Sequence, residues 1–162
     1  MPAHPLDTIP SPENILSDCP PQLFEVGTPF PILSLTVRKK NALARRLGDE
    51  YKQTAEQSAA RYQRIAKHIN KQAKKHKVAL VLLQDVDTTL MMPLLEKQCP
   101  RDWQFVPPQD GYPFICFYDS STIKIPKHSY DHDAIQTLMI EHNETPSALH
   151  HVNRPKEKDC AF

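Results

Sequence analysis

Val78-Ala79-Leu80-Val81-Leu82-Leu83-Gln84-Asp85 decides the fold. Six apolar residues run without alternation and end on a polar pair. A strand that needs no polar face is covered on both sides, as strands of parallel sheets are. Upstream, Ile32-Leu33-Ser34-Leu35-Thr36-Val37 reads as a second short strand opened by Pro31. Between them the pattern is helical from about residue 40 to residue 76. Leu47, Tyr51 and Ala55, then Tyr62, Ile65, Ile69 and Ala73, recur at three- and four-residue steps. Gly48 weakens the first part, so the helix is expected to begin in earnest only after Gly48-Asp49. Strand, long helix, strand is a crossover unit, right-handed in nearly all proteins. The class is α/β, with a mixed sheet around that crossover.

Downstream, residues 88–97 read as a short helix or turn stopped by Pro100. Trp103-Gln104-Phe105-Val106 and Phe114-Ile115-Cys116-Phe117-Tyr118 read as antiparallel strands joined by a Pro- and Gly-containing linker. Residues 123–125 form a strand fragment and residues 134–141 a last strand. Residues 1–31 hold eight of the 16 prolines, so residues 1–30 are expected to be a flexible Pro-rich tail, docked at most through Leu23, Phe24 and Val26. Residues 31–150 then make one domain, and residues 151–162 a frayed C-terminal tail.

Composition narrows function. With 40% hydrophobic and 24% charged residues, the 162-residue chain can bury a core. Only 3 glycines are present, and neither a dinucleotide-binding nor a P-loop glycine pattern occurs, which excludes nucleotide binding by that route. No apolar run approaches the roughly 20 residues of a membrane span, and no basic segment followed by an apolar one opens the chain. Cys19, Cys99, Cys116 and Cys160 are scattered without a CxxC pair. Free thiols in a reducing, cytoplasmic setting are therefore expected. Cys116 sits inside an apolar strand, where burial makes a thiol inert.

Net charge is +1, but residues 38–77 carry 13 of the 20 Lys and Arg against three acids. Lys67, Lys71, Lys74, Lys75 and Lys77 crowd the end of the helix, where cations favour its negative pole. They form either a solvated face or a surface for nucleic acid or an acidic protein. No basic residues interleave with Trp103 or the tyrosines, which read as core or edge anchors rather than a stacking platform. His128 and His132 lie four apart beside Asp131 and Asp133. Helical spacing would suit zinc, but Pro126 precedes them, and surface loop histidines are the better reading.

Asp85, just past the carboxyl end of the buried strand, stands where open α/β sheets bind ligands. It is either a hard-cation ligand or the cap of the following turn. Taken in order, the strand ending Leu35-Thr36-Val37, the helix with Arg61 and Arg64, Leu83-Gln84-Asp85-Val86, and Gly111-Tyr112 leading into Phe114-Ile115-Cys116-Phe117-Tyr118 resemble one family. They are similar in order and spacing to the opening of the endonuclease/exonuclease/phosphatase superfamily. It includes apurinic endonucleases, inositol-phosphate phosphatases, sphingomyelinases and poly(A) deadenylases. Its pattern is a strand ending in Asn, a helix with an Arg, a strand ending Leu-Gln-Glu-Val, and a Gly-Tyr-x-x-x-Phe-Tyr strand. The resemblance spans roughly residues 31–125 and implies half of that family's α/β sandwich.

The departures bear on activity. Thr36 stands where the family has its Asn, as a candidate for the phosphate pocket. Asp85 stands where the family has its principal magnesium ligand, a Glu one methylene longer, so the resemblance implies at most weakly held Mg²⁺ there. The family's catalytic His, Asp-x-Asn and closing Ser-Asp-His segments have no match, and Tyr130-Asp131-His132 follows the Phe-Tyr strand too closely to count as one. No catalytic residue is assigned. The resemblance implies a divergent, truncated relative of metal-dependent phosphodiesterases and phosphatases without full activity by itself. A missing C-terminal half would restore hydrolysis. The alternative is a non-catalytic binding module working through its basic helix.

Overall fold

The computed structural model describes residues 15–100, 102–131 and 135–152. Eight strands and three α-helices follow in the order β1 (Gln22–Phe24), β2 (Ile32–Thr36), α1 (Ala42–Leu47), α2 (Ala55–His76), β3 (Leu80–Gln84), α3 (Thr88–Gln98), β4 (Trp103–Phe105), β5 (Phe114–Asp119), β6 (Lys124–Tyr130), β7 (Ile135–His142) and β8 (Thr145–Val152). The first five-stranded sheet has the order β1-β2-β3-β5-β4, and β6-β7-β8 form a separate three-stranded meander.

β2 and β3 are parallel neighbours, with Ile32 opposite Leu80 and Thr36 opposite Gln84. β5 runs antiparallel on the other side of β3, so the sheet is mixed and β3 is central. Leu80 is fully buried and Leu82 nearly so. Alternate residues separate the two faces. Leu33, Leu35, Val81, Leu83, Ile115 and Phe117 pack against Tyr62, Ile65 and Ile69 of α2 and Leu95 of α3. Ile32, Leu80, Leu82 and Cys116 pack on the other face against Leu138 and Ile140 of the meander. The result is three layers: helices, mixed sheet, antiparallel sheet.

The helical stretch between β2 and β3 is not continuous. Gly48 at φ 118° ends α1, and a single 3₁₀ turn, Asp49–Tyr51, intervenes. Thr54 then opens α2 with a capping box, its hydroxyl accepting from the Gln57 N–H while the Gln57 side chain accepts from Thr54 N–H. The start therefore falls at Ala55, later than periodicity alone predicts, because a cap outweighs a weak apolar rhythm. Lys77 at φ 52° stops the helix in the left-handed conformation.

Two boundaries read from the sequence need correction. From Ile15 onward the N-terminal stretch is not a tail. Ile15 and Cys19 are buried, Asp18 is ion-paired with Arg38 and Arg46, and Gln22–Phe24 adds an antiparallel edge strand to β2. Proline fixes φ but does not prevent an extended chain from packing. At the other end, His151 lies in β8 and is buried, so the domain passes residue 150. β7 and β8 are joined by Asn143 (φ 50°) and Glu144 (φ 63°), the two positive-φ positions of a type I′ turn, whose twist suits a hairpin. The remaining parts of both expected tails, 1–14 and 153–162, lie outside the described residues.

Candidate functional site

The carboxyl ends of β2 and β3 bring Thr36, Gln84 and Asp85 together, and the pleat sends them in different directions. Ser34, Thr36 and Gln84 face the meander. The Gln84 amide oxygen accepts from the Thr36 hydroxyl at 3.3 Å, and its Nε2 donates to Ser34 Oγ at 3.0 Å. Gln84 Nε2 also lies 2.7 Å from His151 Nε2, while His151 Nδ1 lies 2.9 Å from Gln136 Oε1. An Nδ1–H tautomer satisfies both, accepting from Gln84 and donating to Gln136. The Gln136 amide then donates to the Tyr130 hydroxyl at 2.9 Å, which donates to the Pro107 carbonyl at 3.1 Å. A polar seam thus crosses from one sheet to the other through their apolar interface.

Burial drives the His151 pKa down from 6.5 to about 3. The ring is neutral at pH 7 and joins the two sheets. In the unfolded chain it takes up a proton as pH falls below 6.5, whereas the folded chain does so only near 3. Stability is therefore lost across that window, at up to about 1.4 kcal/mol per pH unit from this residue. Half-buried His68, also lowered by burial, acts in the same sense more weakly. Urea titrations between pH 7 and 5 check this through the difference between variants. The slope of stability against pH is expected to be shallower in His151→Gln than in the unmodified chain.

Asp85 points away from this seam. It sits at φ 49°, and its carboxylate accepts from Arg38 Nη1 at 3.4 Å. Arg38 is only 2% exposed. Its Nε and Nη2 donate to the two Asp18 oxygens at 2.7 and 3.3 Å, and Arg46 also pairs with Asp18. Burial alone would push the Asp18 carboxyl up, but hydrogen bonds and charge from Arg38, then Arg46, hold it below the usual carboxylate range. Asp85 thus belongs to a part-buried cluster of two carboxylates and two guanidiniums. Among the described residues no three His, Cys, Asp or Glu side chains gather closely enough to hold a metal ion. Mg²⁺ demands near-octahedral oxygen donors at about 2.0–2.1 Å. One carboxylate already facing a guanidinium does not fit that demand.

The other assigned residues separate from this end. Lys67, Lys71, Lys74, Lys75 and Lys77 are all exposed. At 3.6 residues per turn, the four that lie within α2 fall in an arc of about 100° opposite the buried Ile65 and Ile69. His128 lies on β6, a strand, so its four-residue spacing to His132 carries no helical meaning, and His132 and Asp133 lie outside the described residues. Cys99 and Cys116 are free, and burial pushes the Cys116 thiol far up. Cys19 is disulfide-bonded, against the expectation of free thiols throughout. Reading the sequence missed His151, Gln136 and the Arg38–Asp18 pair. The only local signal was the polar alternation Ser34, Thr36, Gln84 on otherwise apolar strands.

The fold is a layered α/β half-sandwich, with a mixed sheet built around a strand–helix–strand crossover. One solved structure that it resembles is humanized D. rerio TDP2 bearing 14 mutations, with a TM-score of 0.53 and 12% identity. The match covers 79% of this chain and 49% of that one, so the chain spans about half the length of that structure. No family model matches the sequence, and a search of the curated proteins returns no match. No helix among the described residues is long and apolar enough to cross a membrane.

Proposed function

We propose that this chain is a divergent relative of the metal-dependent phosphodiesterases and phosphatases that does not hydrolyse by itself. In this reading it works as a binding module, presenting the lysine face of α2 to nucleic acid. The observation that carries it is the Arg38 guanidinium 3.4 Å from the Asp85 carboxylate, in the place where the resembling family has its metal ligand. A buried cation there disfavours a second, divalent one by direct repulsion. Thr36 is likewise committed, its hydroxyl to Gln84 and its carbonyl to Ser17. General acid–base groups contribute about 10²–10⁴-fold each, so a site without an assigned acid, base or metal has little left to accelerate hydrolysis.

The lysine face supports the binding half of the reading. None of its five lysines is in a salt bridge among the described residues. Such a face suits backbone phosphates read by charge alone.

The test has two arms. Incubated with a chromogenic phosphodiester, an abasic DNA duplex and a phosphoinositide, with or without Mn²⁺, the protein is expected to show no turnover above background. Metal-dependent turnover abolished by Asp85→Ala would overturn the catalytic half of the proposal. In the second arm, binding to duplex DNA and to single-stranded RNA is followed against salt. Each lysine among 67, 71, 74, 75 and 77 changed to Met should reduce the log–log slope by about 0.7–0.9. Tighter binding to polyglutamate than to either nucleic acid would replace the nucleic-acid reading with an acidic-protein one.

A further inference from the structure

A cavity of about 360 Å³ opens on the helix side of the molecule, between the C-terminal half of α2, the end of α3 and the β4–β5 pair. It lies at the far end of β3 from Asp85, beside Val78 and Asp119. Its size falls within the roughly 300–1,000 Å³ of small-ligand pockets. The floor is apolar. Ile69, Leu95 and Phe117 are buried there, and Trp103, tilted on Phe117 with ring centroids 5.5 Å apart, forms a wall.

The polar part of the lining is one-sided. Lys74 and Lys77 are exposed and stand in no salt bridge among the described residues. Asp119 is the one carboxylate of the lining, and its oxygens already accept from the Ser121 N–H at 3.0 Å, the Ser121 hydroxyl at 2.6 Å and the Thr122 hydroxyl at 3.3 Å. Cys99 adds no charge, since burial pushes its thiol up to about 11. The cavity therefore pairs an apolar body with two cations that no salt bridge among the described residues engages.

We propose that this cavity binds a small amphipathic monoanion: a hydrocarbon body seated on Trp103 and Phe117, with a carboxylate at Lys74 and Lys77. A monoanion fits better than a phosphate dianion, because the negative pole of α2 and the Asp119 carboxylate both border the mouth and penalise a second charge. The site stands apart from the proposed nucleic-acid face in depth and chemistry, although Lys74 and Lys77 border both.

Trp103 is the only tryptophan of the chain, so its emission reports on this wall directly. Octanoate and its neutral analogue 1-octanol are titrated against the full chain. Octanoate is expected to shift Trp103 emission saturably and to bind more tightly than 1-octanol. Lys74→Met/Lys77→Met should weaken octanoate about fivefold, the scale of two exposed charge contacts, and leave 1-octanol unchanged. Cys99→Phe, which places a ring at the mouth, should weaken both ligands. Lys67→Met/Lys71→Met should weaken RNA binding and leave octanoate untouched, so the two proposals fail separately. An emission that does not saturate with octanoate, or a double lysine variant that weakens octanoate and 1-octanol alike, would overturn the site. Circular dichroism melting of every variant confirms that each is folded.

Discussion

Leu83→Asp is expected to abolish cooperative folding. Leu83 has no exposed surface, sits in the central strand, and pairs in register with Leu35 on one side and Ile115 on the other. A carboxylate there has no route to water, and the buried Arg61 guanidinium of α2 is already committed to Gln53 and to the carbonyls of Leu16, Val37 and Arg38. An unpaired buried charge of this kind costs about 4 kcal/mol or more, a large share of the 5–15 kcal/mol of a typical domain. One position earlier the cost should be smaller, because Leu82 borders an open cavity of about 440 Å³ between the sheets, where water can reach a charge. Urea unfolding followed by far-UV circular dichroism separates the two variants. A Leu83→Asp protein with an unchanged midpoint would mean that β3 is not the centre of the core.

Arg61→Met should come close to that in effect, for the opposite reason. Arg61 is fully buried in α2, yet its guanidinium has a partner on every side. It donates to Gln53 Oε1 at 3.0 Å and to the carbonyls of Leu16, Val37 and Arg38 at 2.7, 2.6 and 2.7 Å. Three segments thus meet on one side chain: the N-terminal stretch, the loop after β2, and α2 itself. Met keeps the apolar stem and takes the donor from Gln53 and from the Leu16 and Val37 carbonyls, at about 1–3 kcal/mol for each one that water cannot reach, while the Arg38 carbonyl keeps the Tyr62 hydroxyl. A loss of about 3–5 kcal/mol is expected. Arg61→Lys should recover only part of it, since a point ammonium cannot span a fork of acceptors. Full recovery by Lys would show that charge rather than geometry is what this position supplies.

The parts of the fold legible in the sequence were those that repeat. The unbroken run at residues 78–83 placed β3 and its parallel partner, and the three- and four-residue rhythm from Tyr62 to Ala73 placed the buried face of α2. What escaped had no rhythm. The packing of Ile15 and Asp18 depends on single contacts across about 20 residues, and a proline-rich composition argued against it. β8 escaped because Asn143 and Glu144 make their positive-φ turn without a glycine. The candidate site suffered most. Position alone picked out Asp85 at the strand end, but its partner Arg38 lies 47 residues upstream, and an ion pair leaves no periodic trace. His151 was invisible for the same reason, since its meaning comes from Gln84 and Gln136 on two other strands.

The division into two sheets also sets an order of assembly. β6, β7 and β8 are sequential neighbours joined by short connections, so their pairing closes only short loops. β2 and β3 must wait for residues 37–79 to be made and folded between them. Contacts between distant residues form more slowly, because the entropy of closing the loop is lost before any contact repays it. During synthesis the problem sharpens. The face of the first sheet that carries Ile32, Leu80 and Leu82 is covered by the meander, which leaves the ribosome after that sheet. A nascent chain that has completed β5 therefore holds an apolar sheet face open to water. It stays prone to association until Leu138, Ile140 and Leu149 emerge to cover it.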